Sequence, residues 1–541
     1  MLNISWLPLG WRQSRAVLLF GSMVGVFSFI ILENKHVLPL TLTTFLFFSL
    51  VAFLLALYRP GWVFLLFVAS IPLEVISVAP EVLGGVMLRP YQWLAVILLM
   101  AVAMRFVSGR LPFRLLQPRW FDVLPLLVAL GGFLALLEAP VFAVSFKQAL
   151  VVTSFVGVYF LGRIFFRTLF DVLQALPFFL VSSAVVLGYA LWQNLRFLAE
   201  QESYQVMVGR PNATFAEADW LGMFVIVVLG AVSTLLFHFI SQIVERGQNM
   251  VRSAGLVFMT LYLVSVYVIL ILTVARSAWL GASALFMTMI ILSAWWYHGQ
   301  KSRRSRMKIT LFSCIMGASL LGAGVLVYDF HLSPFELGNR IQSTGSGLQN
   351  ITVACENDRV LPERIATVDD LVALGCRHID LKAVASEKEA GKFVQKILRD
   401  DPNVAIRRGI YEETFTLLKA HLFLGIGWGS ASAFLGTDER GAGLNASNVL
   451  LEVWLGSGLI GMAAFVLWLG LIVYTSLRWY QETEEEGERL FVLFLFTTLA
   501  GMMVFNLFNS GILLGFFFLF LALGGLSLER WEEGRTKKEM L

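Results

Sequence analysis

Residues 218–241, ADWLGMFVIVVLGAVSTLLFHFIS, form an apolar stretch that is long enough to cross a lipid bilayer. A bilayer core of about 30 Å needs roughly 20 apolar residues in a helix, because each helical residue adds about 1.5 Å. Asp219, the single acidic residue of this stretch, stands near its beginning. Comparable stretches recur between residues 16 and 528. The sequence therefore predicts an all-α polytopic membrane protein.

The composition excludes an ordinary soluble domain. The 541 residues are 58% hydrophobic and 14% charged, with a mean hydropathy of +0.76, whereas soluble domains carry about 25% charged residues. The alternating ten-residue segments typical of outer-membrane barrels are absent, and no small-residue cleavage site follows the first span. We predict about 12–14 transmembrane helices, near residues 16–32, 37–57, 61–78, 91–107, 121–138, 146–166, 170–194, 218–241, 255–275, 278–297, 309–328, 449–475, 490–508 and 511–528.

Lysine and arginine residues concentrate on one side of the predicted membrane. The densest group is KSRRSRMK at residues 301–308, and the short segments on the other side hold few basic residues. The positive-inside rule then predicts that both termini are cytoplasmic. We interpret the basic KSRRSRMK run as a signal of membrane topology rather than as a nucleic-acid-binding patch, and the net charge of +4 does not indicate a nucleic-acid partner either. The predicted domains are transmembrane helices 1–11 over 1–328, a large periplasmic loop over 329–448, helices 12–14 over 449–528 and a cytoplasmic tail over 529–541.

The long outward loop is predicted to contain a small mixed insertion over residues 345–405. ITVAC, which ends at Cys355, predicts a short strand, and SEKEAGKFVQKILRD predicts a helix that ends before Pro402. Cys355 and Cys376 share the loop, and an extracytoplasmic location would allow a disulfide between them. The alternative is that both are small buried hydrophobic residues.

Arginine residues recur at the outward ends of predicted spans. Arg210 leads into the eighth span, Arg276 lies in the tight turn between the ninth and tenth, and Arg89 precedes the fourth. Arg407 and Arg408 stand just ahead of the expected amphipathic helix YEETFTLLKAH. Guanidinium groups bind phosphate oxygens in a bidentate manner, so this pattern predicts a phosphate-binding surface. The alternative is that each arginine contacts lipid headgroups.

The sequence lacks the motifs of several other enzyme classes. It contains no GxxxxGK[ST] loop, no GxGxxG after a strand, no HExxH and no Cys/His cluster with zinc spacing. These absences argue against ATP-driven transport and zinc proteolysis. We expect neither a metal nor a cofactor.

The stretch LNASNVLLEVWLGSGLIG marks the point where the long loop re-enters the membrane. Asn448 and Glu452 are four residues apart and share a helix face, so with Ser447 they would line a cavity for acceptor hydroxyl groups. The alternative is a helix start with Ser447 or Asn448 as the N-cap. Glu452 lies one turn into an apolar span, where an acidic side chain is costly unless it is paired or hydrated. Arg276 and Arg407 are its candidate partners.

The segment LGIGWGS supplies three glycines just before this stretch. Gly425, Gly427 and Gly429 would allow close approach to a ligand or a bend of the chain. We interpret Trp428 as an interfacial anchor rather than a sugar platform.

Four segments, in order, resemble the O-antigen ligase and polymerase superfamily of membrane glycosyltransferases. GRPNATFAEADWLG is similar to the family's Gly-Arg, Thr-Phe and downstream Gly segment, and ARSAWLG to its Ser-Arg-Gly-Ala-Trp turn. IRRGIYEETFTLLKAHLFLGIGWGSASAF resembles the loop helix that ends in a His-Pro, Gly-Val-Gly motif. ASNVLLEVWLGSGLIG resembles the His-Asn, Leu-Glu, Gly-Leu-Ile-Gly stretch of a late span. Together the segments cover residues 209–461.

The resemblance implies a metal-independent transfer of glycan from a polyprenyl-diphosphate-linked oligosaccharide to a hydroxyl of a lipid-linked acceptor. It places the reaction at the periplasmic face of a bacterial inner membrane, with membrane lipid and a chain-length regulator protein as further candidate partners. The candidate catalytic residues are Arg210 and Arg276, which would hold the donor diphosphate, and Glu452. The candidate substrate-binding residues are Arg89, Arg407, Arg408, Asn448, Ser447 and Asp219.

The chain departs from the family pattern at three positions. Ser447 stands where ligases carry a histidine, Asp219 where the family has Asn, and Leu422 where it often has Pro. Serine without an activating partner is a poor general base, so the ligase mechanism does not transfer. This favours a repeat-unit polymerase and leaves the base open. The candidate bases are Glu452, Asp219, Glu217, Asp438, Glu439 and His421.

Two other functions remain as alternatives. A ligase would move finished glycan to a lipid A core or to a protein. A transporter of lipid-linked oligosaccharide, which is not an enzyme, predicts functional charges deep within spans. The candidates Asp122, Glu138, Lys147 and Asp171 all lie near span ends, which argues against transport.

Overall fold

The computed structural model shows a chain that is mainly helical. It describes residues 11–83, 87–111, 118–207, 209–298, 303–335, 338, 347–357, 361–366, 368, 370–379, 384–400, 402–437 and 443–539. The long helices, labelled in chain order, are α1 Trp11–Asn34, α2 Leu42–Tyr58, α3 Pro60–Ser70, α4 Pro90–Val107, α5 Val123–Leu134, α6 Phe142–Phe165, α7 Leu169–Leu198, α8 Ala218–Arg246, α9 Met250–Leu272, α10 Arg276–His298 and α11 Arg303–Asp329. The later helices are α12 Asp370–Ala373, α13 Val384–Glu389, α14 Pro402–Ala420, α15 Ser432–Leu435, α16 Val449–Glu482, α17 Glu486–Asn506 and α18 Gly515–Glu539.

Every predicted span coincides with or overlaps a helix. Within the described ranges, 11 helices are long and apolar enough to cross a bilayer, where α5 counts together with its flanking 3₁₀ turns as Trp120–Glu138. The predicted count was about 12–14. Helices α2 and α3 are apolar but shorter, and charged residues follow the apolar first half of α18 from Glu529 onward. The all-α polytopic membrane fold is confirmed.

The third predicted span, 61–78, is wrong in its second half, because the chain leaves the helix at the end of α3. The residues that follow are mostly buried without regular structure, which is tolerated at membrane depth only inside protein. Pro72 lacks an amide hydrogen and disfavours a helical continuation. The buried carboxylate of Glu74 accepts a hydrogen bond from the Gly515 amide at 2.8 Å and pairs with Arg89 at 2.9 Å.

Helix α8 lies at the centre of the bundle, and its side chains are buried along most of its length. It packs against α9, α10, α11 and α17. Helices α10 and α17 touch through their backbones, since a Cβ on Gly281 would lie 2.6 Å from the Gly501 carbonyl oxygen. Small residues permit such contacts between membrane helices. This packing brings the start of α10 close to the end of α17.

Helix α16 is broken by the glycine-rich segment that precedes α15. Gly458 has a φ of 66°, and the amide of Leu459 donates to the Phe423 carbonyl at 2.9 Å instead of to its own helix. In turn the Ile426 amide donates to the Leu455 carbonyl at 2.8 Å. The segment around Gly425, Gly427 and Gly429 therefore bends and hydrogen-bonds to α16 where that helix is interrupted at Gly458.

Trp428 is not an interfacial anchor, because the structure buries it completely. A Cβ on Gly132 of α5 would lie 2.5 Å from the indole, and one on Gly456 of α16 would lie 2.4 Å from it. The two glycines open a slot between α5 and α16 that the indole fills. The interpretation of Trp428 as an interfacial anchor is wrong because the slot is formed by Gly132 and Gly456 together, and the sequence does not show that these two glycines face each other.

The insertion forms a four-stranded sheet from β1 Leu348–Cys355, β2 Arg364–Ile365, β3 Cys376–His378 and β4 Phe393–Asp400, in the order β2-β4-β1-β3. The predicted helix SEKEAGKFVQKILRD is wrong in its second half, because Gly391 has a φ of 76° and the chain then enters β4. Strand β4 pairs antiparallel with β1 over its whole length. Cys355 and Cys376, directly opposite each other on β1 and β3, form a disulfide.

We predict that Gly458→Ala destabilises the protein by about 2 kcal/mol or more, because alanine disfavours a positive φ. Its Cβ would also lie 2.3 Å from the Phe423 carbonyl oxygen. The apparent Tm in detergent measures the effect.

Gly470→Ala is the matched control on the same helix, since Gly470 has no atom within 4 Å of its Cβ position. It should raise the apparent Tm, because alanine favours a helix interior by roughly 0.5–1 kcal/mol over glycine. Equal Tm values for the two variants would contradict the described break.

Candidate functional site

The start of α10 and the ends of α9 and α17 meet at one end of the bundle. Thr273–Ala275 joins α9 to α10, and Arg276 is the first residue of α10. Asn509, just after α17, donates a hydrogen bond from its Nδ2 to the Ser277 Oγ at 2.7 Å. Arg276 therefore lies one residue from a side-chain contact between these elements.

Arg210 is bound to the turn that precedes Arg276. Its Nε donates to the Thr273 carbonyl at 2.8 Å, and its Nη2 forms an ion pair with Asp219 at 3.0 Å. Its Nη1 lies 3.5 Å from the sulfur of Met207, a weak acceptor. The structure thus brings Arg210, Asp219 and the Arg276 turn together.

Buried polar groups hold the segment that carries Arg210. The amide of Ala213 donates to Gln193 Oε1 of α7 at 2.7 Å, and Thr214 Oγ1 donates to the Pro72 carbonyl at 2.6 Å. The Thr214 carbonyl accepts from the Glu74 amide at 3.1 Å. Each of these bonds crosses between elements, so the position of Arg210 is fixed by α7 and by the segment after α3.

Two further predicted site residues, Asn448 and Arg407, contact the chain just after the end of α17. The Leu507 carbonyl accepts a hydrogen bond from Asn448 Nδ2 at 3.2 Å and one from the Tyr411 hydroxyl at 3.4 Å. The Phe508 carbonyl accepts from Arg407 Nη2 at 3.4 Å, and the guanidinium lies 5.7 Å from the Phe508 ring centroid. Residues 507–509 therefore connect the start of α16 and helix α14 to the start of α10.

Asn448 is the N-cap of α16, as one of the two sequence interpretations proposed. Its Oδ1 accepts hydrogen bonds from the amides of Leu450 at 2.9 Å and Leu451 at 3.3 Å. Ser447, in contact with Tyr411 through its carbonyl at 3.5 Å, has a φ of 50°. The amide group of Asn448 thus caps one helix with its oxygen and contacts the end of another with its nitrogen.

Glu452 supports the same helix start from inside. Its carboxylate is 6% exposed and accepts a hydrogen bond from the Ala446 amide at 2.9 Å. Within the described residues it forms no ion pair, so the expected pairing with Arg276 or Arg407 is wrong. The partner of the Glu452 carboxylate is instead the main-chain amide of Ala446, just before α16.

Other predicted residues lie outside this group. Arg89 is 13% exposed and is paired with Glu74, where it supports the segment behind Arg210. Arg408 is exposed, and the Glu412 carboxylate, which accepts a hydrogen bond from it at 2.8 Å, raises the pKa of the guanidinium. His421 contacts the carboxylate of Glu138.

Of the remaining candidate bases, Glu217 immediately precedes α8. Asp438 and Glu439 fall outside the residues that the structure describes. In the described ranges, no group of at least three His, Cys, Asp and Glu side chains could hold a metal ion.

An apolar groove of about 870 Å³ opens between α9, α10 and α11 and reaches Arg276. From Arg276 it continues along α10 to Phe286, a distance of about 15 Å at 1.5 Å per residue. The deepest lining residue on α11 is Met316, near the middle of that helix. The groove therefore joins a guanidinium at the helix end to an apolar channel at membrane depth. Its lining includes Leu270, Ile271, Trp279, Leu320, Gly324 and Tyr328.

Sequence reasoning missed the junction at residues 507–509 and its partner Tyr411. Three of these hydrogen bonds are accepted by the main-chain carbonyls of Leu507 and Phe508, which leave no side-chain signature. The available signal was the segment FNLFNSG between two apolar spans. There Asn506 Oδ1 accepts from the Gly511 amide at 2.8 Å and shapes the turn.

Comparison with known proteins gives one match. Residues 258–466 match the family model described as O-antigen ligase. No curated protein and no solved structure matches the chain. Three of the four resembling segments lie within the matched region, and GRPNATFAEADWLG precedes it. The resemblance to the O-antigen ligase and polymerase superfamily is confirmed over the matched residues 258–466, and the chain is a multi-pass membrane protein.

We predict that Asn448→Ala lowers the apparent Tm more than the loss of an ordinary helix cap does. It removes a cap worth about 1 kcal/mol and also the hydrogen bond to Leu507, worth about 1 kcal/mol. Asn249→Ala is the matched control, because Asn249 caps α9 through the Arg252 amide. Equal losses in the two variants would mean that the Leu507 contact adds nothing.

Proposed function

We propose, starting from the O-antigen ligase family domain at residues 258–466, that this protein is a surface polysaccharide polymerase. It would transfer glycan from a polyprenyl-diphosphate-linked donor to a hydroxyl of a lipid-linked acceptor repeat unit. The site lies on the periplasmic face of a bacterial inner membrane, with both termini in the cytoplasm. The basic cytoplasmic segments support this orientation, and so does the disulfide of the insertion, since disulfides persist in oxidising compartments.

The apolar groove that reaches Arg276 is the observation that carries the donor proposal. A polyprenyl diphosphate combines a long apolar chain with a compact anionic group. The groove offers an apolar channel to the chain and a guanidinium to the diphosphate. The amino end of α10, where Arg276 stands, adds the positive end of a helix dipole.

Arg210 is the second arginine of the proposed donor site. It is hydrogen-bonded to the turn before Arg276, and among the described residues its Nη1 contacts only the weakly accepting sulfur of Met207, so the guanidinium keeps hydrogen-bonding capacity for a phosphate oxygen. In the transfer, the bond between the anomeric carbon and the diphosphate breaks as the acceptor oxygen bonds to that carbon. The hydroxyl proton leaves to a base, and the arginines stabilise the charge on the departing diphosphate.

The acceptor would enter beside the junction at residues 507–509. Asn448, Ser447 and Tyr411 meet there, and Arg407 contacts the adjacent Phe508. The contact between Asn509 and Ser277 connects this junction to the start of α10. Donor and acceptor groups would therefore meet across residues 507–509.

A polymerase is preferred to a ligase because Ser447 occupies the position of the ligase histidine. His421 does not replace it, because among the described residues it contacts the Glu138 carboxylate and lies outside the site. Transfer of finished glycan to a lipid A core or protein remains the second candidate, favoured by the description of the matching family.

We predict that Arg210→Ala and Arg276→Ala abolish the polysaccharide ladder in a complemented deletion strain. Loss of one charge-stabilising donor lowers such rates by roughly 100-fold or more. Arg408→Ala is the matched control, because Arg408 is exposed and paired on α14. The measurement is a surface-polysaccharide gel together with membrane protein levels.

The deletion strain itself separates the two candidates. A single repeat unit on the final acceptor supports a polymerase. Long polyprenyl-linked chains that never reach the acceptor identify a ligase. A normal ladder with both arginine variants would contradict the donor site.

We predict that Glu452→Gln retains at least about half of the activity and that Glu452→Ala loses stability. Glutamine keeps an oxygen for the Ala446 amide, whereas alanine leaves that buried donor unsatisfied, at a cost of about 1–3 kcal/mol. Initial rates of glycan lengthening and the apparent Tm test this. An inactive but stable Glu452→Gln would instead identify Glu452 as the base.

A further inference from the structure

A second groove, of about 630 Å³, runs between α1 and α7. Its deeper walls are apolar and include Phe27, Ile30 and Val185, with Gly188 leaving room between the helices. Lys35 and Arg196 line its other end, beside the ends of α1 and α7. The groove thus has an apolar part within the helical layer and a basic part at the surface.

Aromatic rings form one wall of the basic end. The rings of Tyr189 and Trp192 stack at 5.6 Å between centroids, and those of Trp192 and Tyr204 at 6.1 Å. The guanidinium of Arg196 lies over the Trp192 ring at 5.0 Å, and the Tyr189 hydroxyl donates to Asn34 Oδ1 at 2.7 Å. This stack holds the arginine in place and ties α7 to α1.

Lys35 and Arg196 both have side-chain hydrogen-bond donors without an acceptor among the described residues. Arg196 Nε donates to the Glu202 carbonyl at 2.6 Å, which leaves its terminal nitrogens without a partner among the described residues. Lys35 Nζ likewise has no acidic or hydrogen-bonding partner in the described ranges. Two such cations beside an apolar groove complement a lipid with a phosphorylated headgroup.

The second groove shares a loop with the candidate site. Tyr204, in the groove wall, and Arg210 lie on the same segment between α7 and α8. Gln193 of α7 holds both parts of this segment, since its Nε2 donates to the Tyr204 carbonyl at 3.1 Å and its Oε1 accepts from the Ala213 amide. A headgroup at Lys35 and Arg196 would therefore lie beside the segment that carries Arg210.

We propose that the groove between α1 and α7 binds the acceptor lipid, a sugar-bearing polyprenyl diphosphate. The inference rests on the proposed function, in which two lipid-linked substrates must be bound at once. The diphosphate contacts Lys35 and Arg196, the prenyl chain follows Phe27, Ile30 and Val185, and the first sugar reaches the partly exposed Trp192. The donor occupies the other groove, which ends at Arg276.

Native mass spectrometry of the purified full chain with undecaprenyl diphosphate tests this without turnover. We expect two lipids on the wild type, and one on the double variant Lys35→Gln/Arg196→Gln, whose affinity at this groove falls at least about tenfold. Arg276→Ala should lose the other lipid. Lys147→Gln, which removes one exposed cation from α6, is the control for the loss of a cation elsewhere and should keep both.

Three results would overturn the proposal: two lipids on the double variant, loss of a lipid from Lys147→Gln, or displacement by equimolar phosphatidylglycerol, which would show ordinary bilayer lipid only. In a lengthening assay, the double variant should raise the KM for acceptor while leaving that for donor unchanged. If the protein never lengthens glycan, the proposed function fails, yet loss of one lipid from the double variant alone still supports the site.

Discussion

The last carbonyl groups of a helix have no partner within that helix, and near a membrane they need one inside the protein. The carboxyl-terminal ends of α9 and α17 meet this constraint with side chains from other elements. Arg210 donates to Thr273 after α9, and Asn448 and Arg407 donate to Leu507 and Phe508 after α17. The candidate site is built from these contacts.

This arrangement places helix ends of opposite polarity side by side. The carbonyl ends of α9 and α17 carry partial negative charge, and cations are favourable beside them. The amino end of α10 lies between them and carries partial positive charge, with Arg276 as its first residue. Arg210 is held by a carbonyl and by Asp219, so its charge is partly balanced in the resting site. An anion arriving at α10 would meet Arg276 at the start of the helix and Arg210 at the preceding turn.

The sequence predicted the parts of the fold that depend on composition and missed those that depend on contacts. Apolar runs located every helix of the bundle, because the bilayer dictates their length. The sequence missed the end of α3, which depends on the buried contacts of Glu74, and strand β4, which begins after the positive φ of Gly391. It also missed the burial of Trp428, which depends on a pair of glycines on two helices. At the site, arginines at span ends were visible as charges. The junction at residues 507–509 was invisible, because main-chain carbonyls look alike in every sequence.

If the two grooves bind the donor and the acceptor lipid as proposed, one site would serve chains of any length. The donor and acceptor groups of two lipids would meet beside residues 507–509, while their prenyl chains would lie in grooves bounded by α1 and α7 or by α9, α10 and α11. Gln193, Thr214 and Glu74 hold the segment that carries Arg210 through buried hydrogen bonds. Because the donor would react at the sugar that is joined to its lipid and the acceptor would be a single repeat unit, the rest of the donor glycan would need no binding site and could extend into the aqueous phase.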